Sequence, residues 1–135
     1  MIDDATQPAL VIDALADSSS PDWDQTLGDT VRFRSPYADY AGLADVAHLL
    51  DLVREVLVEV RTLRTLRERA ITLSLFDARV GDEEVQGMLF EQHDDAGRLV
   101  DATLTIRPYS GLREAMREMQ SLLAASPLPS AAGSR

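Results

Sequence analysis

Residues 71–108 read ITLSLFDARVGDEEVQGMLFEQHDDAGRLVDATLTIRP, and this stretch decides the fold class. From Ile71 the pattern has a period of two, with Ile71, Leu73 and Leu75 alternating with Thr72, Ser74 and Phe76. Successive side chains of a strand point to opposite faces, so this period is the signature of a sheet. Gly81-Asp82 carries a hairpin signal, and Glu83 to His93 follows as another strand. Asp94-Asp95-Ala96-Gly97 is a second turn, in which Gly97 supplies a positive φ. Leu99 to Arg107 is a further strand, halted by Pro108. The stretch is a meander.

Downstream, Ser110 caps a helix whose apolar stripe is Leu112, Ala115, Met116, Met119, Leu122 and Leu123. Pro127, Pro129 and the small residues after them read as a flexible tail over 126–135, leaving 1–125 as one domain. Upstream, Leu43, Val46, Leu50, Val53 and Leu57, joined by Leu49, Val56 and Val60, predict a long amphipathic helix. Periodicity alone would extend it through Leu63 and Leu66 to about residue 70. Before it, Val31-Arg32-Phe33-Arg34-Ser35 alternates as a strand stopped by Pro36. Pro8, with Thr6 or Asp4 as cap, opens a first helix striped by Leu10, Val11, Ala14 and Leu15. Ser18-Ser19-Ser20-Pro21 breaks it, and a short helix runs on through Trp23 and Leu27.

Composition narrows the chemistry. A chain of 135 residues buries one core, and its net charge of −10 repels nucleic acid phosphate and anionic lipid alike. Neither a nucleic acid nor a membrane is therefore an expected partner. The start, MIDDATQP, has no basic and apolar leader, so the expected location is the cytoplasm. Arg61, Arg64, Arg67 and Arg69 alternate with Leu63, Leu66 and Glu68, which reads as the solvated face of an edge element. Cysteine, lysine and asparagine are all absent, which removes thiolate chemistry and lysine Schiff bases. No residue cluster suits a metal, and no cofactor is expected.

The order of elements and several short motifs carry a resemblance. Val31-Arg-Phe-Arg-Ser-Pro36 followed by Tyr40-Ala-Gly42, Ala78-Arg-Val-Gly81, His93-Asp-Asp-Ala-Gly-Arg-Leu99 and Arg107-Pro-Tyr-Ser-Gly-Leu112 together resemble the nuclear transport factor 2-like, or SnoaL-like, family. The likeness spans about residues 6 to 123. It implies an α+β cone, in which a strongly curved sheet wraps around the long helix and leaves a pocket on its concave side. It also implies a strand over residues 60–69 with a turn around Glu68 to Ala70, although no glycine, proline or asparagine marks that turn.

Within that frame, strand parity places Phe33, Ser35, Phe76, Ala78, Gln86, Met88, Phe90, Ala102, Leu104 and Ile106 inward. Leu73, Leu75, Val85 and Leu89 then face outward and predict a homodimer through the convex sheet face. Ketosteroid isomerase chemistry needs an aspartate base, two donors to an oxyanion and an apolar hole. The resemblance aligns the base with Ser35 and the acidic donor with Gln86, so that proton shuttle is absent. SnoaL-like cyclases use an aspartate and a histidine. Here His48 falls on the solvated side of its helix, and His93 takes a half-buried structural slot. Asp77 and Arg79 pair with each other on the outer face, and the catalytic residues stay unassigned.

The candidate ligand-binding set is Trp23, Phe33, Ser35, Tyr37, Tyr40, Gln86, Met88, Phe90 and Leu104. Its tyrosines and tryptophan combine apolar area with a polar tip, and Gln86 is the expected polar anchor. The functional expectation is a protein binding a small apolar molecule, with isomerisation or cyclisation of a polyketide- or terpenoid-like metabolite as one outcome. A non-catalytic binding or accessory protein and a structural dimerisation module are the alternatives.

Overall fold

The computed structural model describes residues 10–17 and 21–132. Its elements are α1 (Val11–Ala16), α2 (Trp23–Thr26), β1 (Leu27–Arg34), β2 (Asp39–Ala41), α3 (Leu43–Val56), β3 (Val58–Glu68), β4 (Ile71–Val80), β5 (Glu83–His93), β6 (Leu99–Arg107), α4 (Tyr109–Ala125) and α5 (Pro129–Ala132). The expected helix start at Pro8 and the break at Ser18 to Ser20 lie outside the described residues. The strands make one curved, unclosed sheet in the order β2-β1-β6-β5-β4-β3, mixed because β1 runs parallel to β6. This is the α+β cone that the sequence implies.

The long helix ends at Val56, well short of residue 70. Beyond it the chain is dense in β-branched residues, namely Val58, Val60, Thr62 and Thr65, which favour a pleated conformation. Glu59 takes a φ of 54°, and a register shift between Val58 and Arg61 turns the chain directly from helix into β3. The turn from β3 to β4 is made without glycine. Arg69 adopts the left-handed region at φ 56°, a strain of about 1–3 kcal/mol that the long β3–β4 ladder sustains. β3 is an edge strand and its arginines are exposed, as the charge pattern predicts. α3 buries Val46, Leu49, Leu50, Leu52, Val53 and Val56 in the cone, each worth about 1.5–3 kcal/mol relative to exposure.

The sequence-based faces hold for β4 and β6 and fail for β5. Phe76 and Ala78 on β4, and Ala102 and Leu104 on β6, are buried against the helices. On β5, however, Val85 and Leu89 are buried, while Gln86 and Met88 are exposed and Phe90 is half-buried on the convex side. The cause is register. The tight turn pairs Val80 with Glu83 and therefore Phe76 with Gly87, and directly paired residues share a face. A Cβ at Gly87 would lie 2.3 Å from Phe76 Cζ, so the phenyl ring occupies the space that a side chain would need.

The same parity carries Glu91 and His93 inward. Glu91 is fully buried, and its carboxylate accepts hydrogen bonds from the backbone N–H groups of Val11 (2.7 Å) and Ile12 (3.1 Å). These are donors of the first turn of α1, which have no partner within the helix. His93 is buried as well, with Nε2 at 3.8 Å from the same carboxylate. Thr72, paired with Glu91, and Ser74, paired with Leu89, are buried on the same face.

Three local expectations change. Ser110 lies inside α4, whose N-cap is Pro108, and its hydroxyl donates to Glu83 at 3.3 Å. Asp77 and Arg79 do face outward, but each pairs with β3 instead of with the other, Asp77 with Arg61 at 3.4 Å and Arg79 with Glu59 at 3.0 Å. The segment expected to be a loose tail carries α5. There the Ser130 N–H and hydroxyl both donate to Asp45 (2.9 and 2.6 Å), and Leu128 packs on the core.

Candidate functional site

A cleft opens between the concave sheet, α3 and α4. Phe33 from β1 with Leu104 and Ile106 from β6 form its floor, and Leu49, Val53 and Val56 of α3 stand on one side. Leu112, Ala115, Met116 and Met119 of α4 close the other, and the loop Ser35-Pro36-Tyr37 with Tyr40 of β2 forms the mouth. As a cavity it measures about 40 Å³, and counting the open mouth the empty space is about 460 Å³. The cleft is therefore narrow. The unbranched Met116 and Met119 are the lining side chains best able to re-pack around an occupant.

Of the sequence-predicted set, the structure brings together Phe33, Ser35, Tyr37, Tyr40 and Leu104. It does not bring Trp23, Gln86, Met88 or Phe90 there. Trp23 is core, and its indole N–H donates to Asp51 on α3 at 2.7 Å, pinning α2 to the long helix. Gln86 lies on the convex face and accepts a hydrogen bond from Arg107 at 2.8 Å. Met88, 43% exposed, and Phe90 share that face. The α4 residues were visible in the sequence as an apolar stripe, but periodicity does not separate a cleft wall from plain core.

The polar chemistry of the cleft is sparse. The Ser35 hydroxyl donates to the Ala38 carbonyl at 2.7 Å and accepts from the Ala38 N–H at 3.0 Å, closing the β1–β2 turn. Burial, then a hydrogen bond with Tyr37 and the nearness of that phenol, push the Tyr40 hydroxyl up to about 12. Tyr40 therefore stays a neutral donor at any physiological pH. Among the described residues no carboxylate, imidazole or guanidinium lines the cleft. His48 is half-buried on α3, and its Nε2 is 2.7 Å from the Ser126 carbonyl at the end of α4. Among the described residues no group of three or more histidines, aspartates and glutamates is placed to hold a metal. No described helix is long and apolar enough to cross a membrane.

No protein-family profile matches the chain, and no curated protein does. Solved structures do. A steroid Δ-isomerase from Pseudomonas aeruginosa is 35% identical over 75% of this chain and 77% of its own, with a TM-score of 0.72. A protein with a cystatin-like fold from Silicibacter pomeroyi is 24% identical over 77% and 75%, with a TM-score of 0.74. A structure described as a SnoaL-like polyketide cyclase, from Jannaschia, shares the fold at 11% identity over 69% and 75%, with a TM-score of 0.60. With a curved sheet wrapped on a long helix and a steroid Δ-isomerase similar over three quarters of both chains, this chain belongs to the nuclear transport factor 2-like, SnoaL-like superfamily.

Proposed function

We propose that the chain binds a small, neutral, apolar molecule in the cleft between α4 and the concave sheet, as an isomerase- or cyclase-like member of its superfamily. The observation that carries this is the lining, which is apolar on every wall and without a charged group. A polyketide- or terpenoid-like skeleton suits such walls. Ser35 stands where the resemblance puts the isomerase base, and its hydroxyl is engaged in a turn. What the chain offers a ligand is therefore shape and neutral donors. Native mass spectrometry of the purified protein tests the proposal. A neutral small-molecule adduct is expected, lost in Leu104→Trp, which fills the cleft floor. An adduct that persists in that variant contradicts the assignment.

We further propose a homodimer through the convex face, with a changed set of residues. Leu73 and Leu75 of β4 now join Met88 and Phe90 of β5, and Leu66 of β3 lies opposite Leu73. Arg61, Arg79, Glu59 and Asp77 fringe this patch in paired charges, the balance a two-fold self-contact needs. Leu75→Glu should give monomers at micromolar concentration in sedimentation velocity, against dimers for the unmodified chain. An unmodified chain that sediments as a monomer refutes the dimer.

A further inference from the structure

α1 is fastened from outside at both ends. It has six residues, too few for a helix to hold by itself, and its N-cap Leu10 makes no side-chain cap. Glu91 of β5 takes that place, accepting from the Val11 and Ile12 N–H groups at 2.7 and 3.1 Å. At the other end Arg54 of α3 donates from Nε to the Ala14 carbonyl at 3.0 Å and from Nη2 to the Asp17 carbonyl at 3.1 Å. A carboxylate at the N-terminus and a guanidinium at the C-terminus both suit the helix dipole. Val11, Ile12 and Leu15 add an apolar grip. One latch thus comes from the sheet, and the other from the helix whose Val53 and Val56 wall the cleft.

Glu91 is the latch that can change state. Among the described residues, Asp13 from α1, Arg67 from β3 and His93 from β5, 3.8 Å away, are the charged or titratable groups that face it. β4 and β6 set Thr72 and Ala102 beside it. Lifting α1 takes two N–H partners from this carboxyl and gives it water instead, an exchange that favours the ionised form where burial is the larger effect. Burial does outweigh the two amide bonds here, holding the closed-state carboxyl up at about 7. We propose that α1 is a lid, latched by Glu91 and Arg54, which opens as a unit while the sheet stays intact and opens more readily once Glu91 loses its proton. By linkage, closure is firmest below about pH 4.5 and weakens as pH rises through about 7.

Native-state hydrogen exchange of the full chain in low urea tests this, with the Val11 and Ile12 amides read against those of Leu89 and Phe90 in β5. The α1 amides should be less protected and depend less steeply on urea, because opening the lid exposes less surface than unfolding. Between pH 4.5 and pH 8.5 the opening constant of α1, corrected for intrinsic exchange, should rise on the order of a hundredfold. Glu91→Gln should abolish that rise, and should do so on a His93→Gln background as well, where the neighbouring imidazole is gone. Arg54→Gln should raise the opening constant about tenfold at both pH values. α1 amides that match β5 in protection and urea slope overturn the lid, a comparison made on the unmodified chain and independent of any variant's folding. An opening that ignores pH, or answers to it equally in Glu91→Gln, overturns the Glu91 latch. An unchanged opening constant in Arg54→Gln overturns the Arg54 latch.

Discussion

Glu91 is the buried acid on which the closed end of the cone turns, and its replacement by glutamine has a calculable signature. The carboxylate is fully buried on β5, held by the Val11 and Ile12 amides and 3.8 Å from His93 Nε2. Burial pushes it up to about 7 from an ordinary 4.5; the two amide bonds lower it, Asp13 raises it and Arg67 lowers it. An acid whose folded value is raised contributes stability that is full below the unfolded value and is lost as pH rises through the folded one. The loss here therefore runs from about pH 4.5 to above pH 7. The distance from 4.5 to about 7, at roughly 1.36 kcal/mol per pH unit, sets its size at about 3 kcal/mol.

Glu91→Gln keeps the shape and one acceptor for the α1 amides but has no proton to lose. Urea unfolding of both proteins at pH 4.5 and pH 8.5, repeated on a His93→Gln background to remove the imidazole 3.8 Å away, isolates the effect, because the titrating groups remote from Glu91 change alike in the two. The stability difference between variant and parent should move by about 3 kcal/mol in favour of the variant on going to pH 8.5. Circular dichroism then reports whether α1 stays docked. Parallel pH profiles, agreeing within about 0.5 kcal/mol, would refute the argument, since they would mean that Glu91 ionises in the folded chain as it does in the unfolded one.

Other outcomes follow from single contacts. Gly87→Ala drives a methyl into the Phe76 ring, whose Cζ, Cε2 and Cε1 would lie at 2.3, 2.7 and 2.9 Å, and should destabilise by about 1–3 kcal/mol in thermal or urea unfolding. His48→Ala removes the contact with the Ser126 carbonyl and should cost about 0.5–1.5 kcal/mol of stability. It should leave the small-molecule adduct of native mass spectrometry in place, because His48 does not line the cleft.

The fold was legible wherever a local rule had no competitor. The period of two after Ile71, the glycine turns at Gly81 (φ 57°) and Gly97 (φ 85°), and the stripe of α3 from Val46 to Val56 all appear as read. The phase of β5 was misread for a definite reason. Both faces of β4 and β5 carry apolar side chains, so apolarity alone does not choose between Met88 with Phe90 and Val85 with Leu89. The turn does choose. Two residues, Gly81 and Asp82, between Val80 and Glu83 pair Phe76 with Gly87, and an inward Phe76 then forces Val85, Leu89 and Glu91 inward. Glu91 was missed because a charged residue in a strand is ordinarily solvated. Its burial depends on two amides of α1, some 80 residues away in sequence, which no local pattern encodes.

The candidate site divides along the same line. Ser35, Tyr37 and Tyr40 lie at the mouth of the cleft, on the side of the sheet where the resemblance implied them. Trp23 does not lie there, because its place is decided by Asp51 on a different helix. Gln86 failed as an anchor with the phase of its strand, and the residues that do face inward beside it, Val85, Gly87 and Leu89, carry no polar side chain. The floor on β6 is likewise Leu104 and Ile106. Among the described residues, the hydroxyls that line the cleft therefore come from Ser35 and Tyr37 of the β1–β2 connection and from Tyr40 of β2, while β6 and the helices supply only shape. On the proposed reading, a change of ligand preference would run through residues 35–40, where Tyr37 is exposed at the rim while Tyr40 also packs on the core and Ser35 holds the turn.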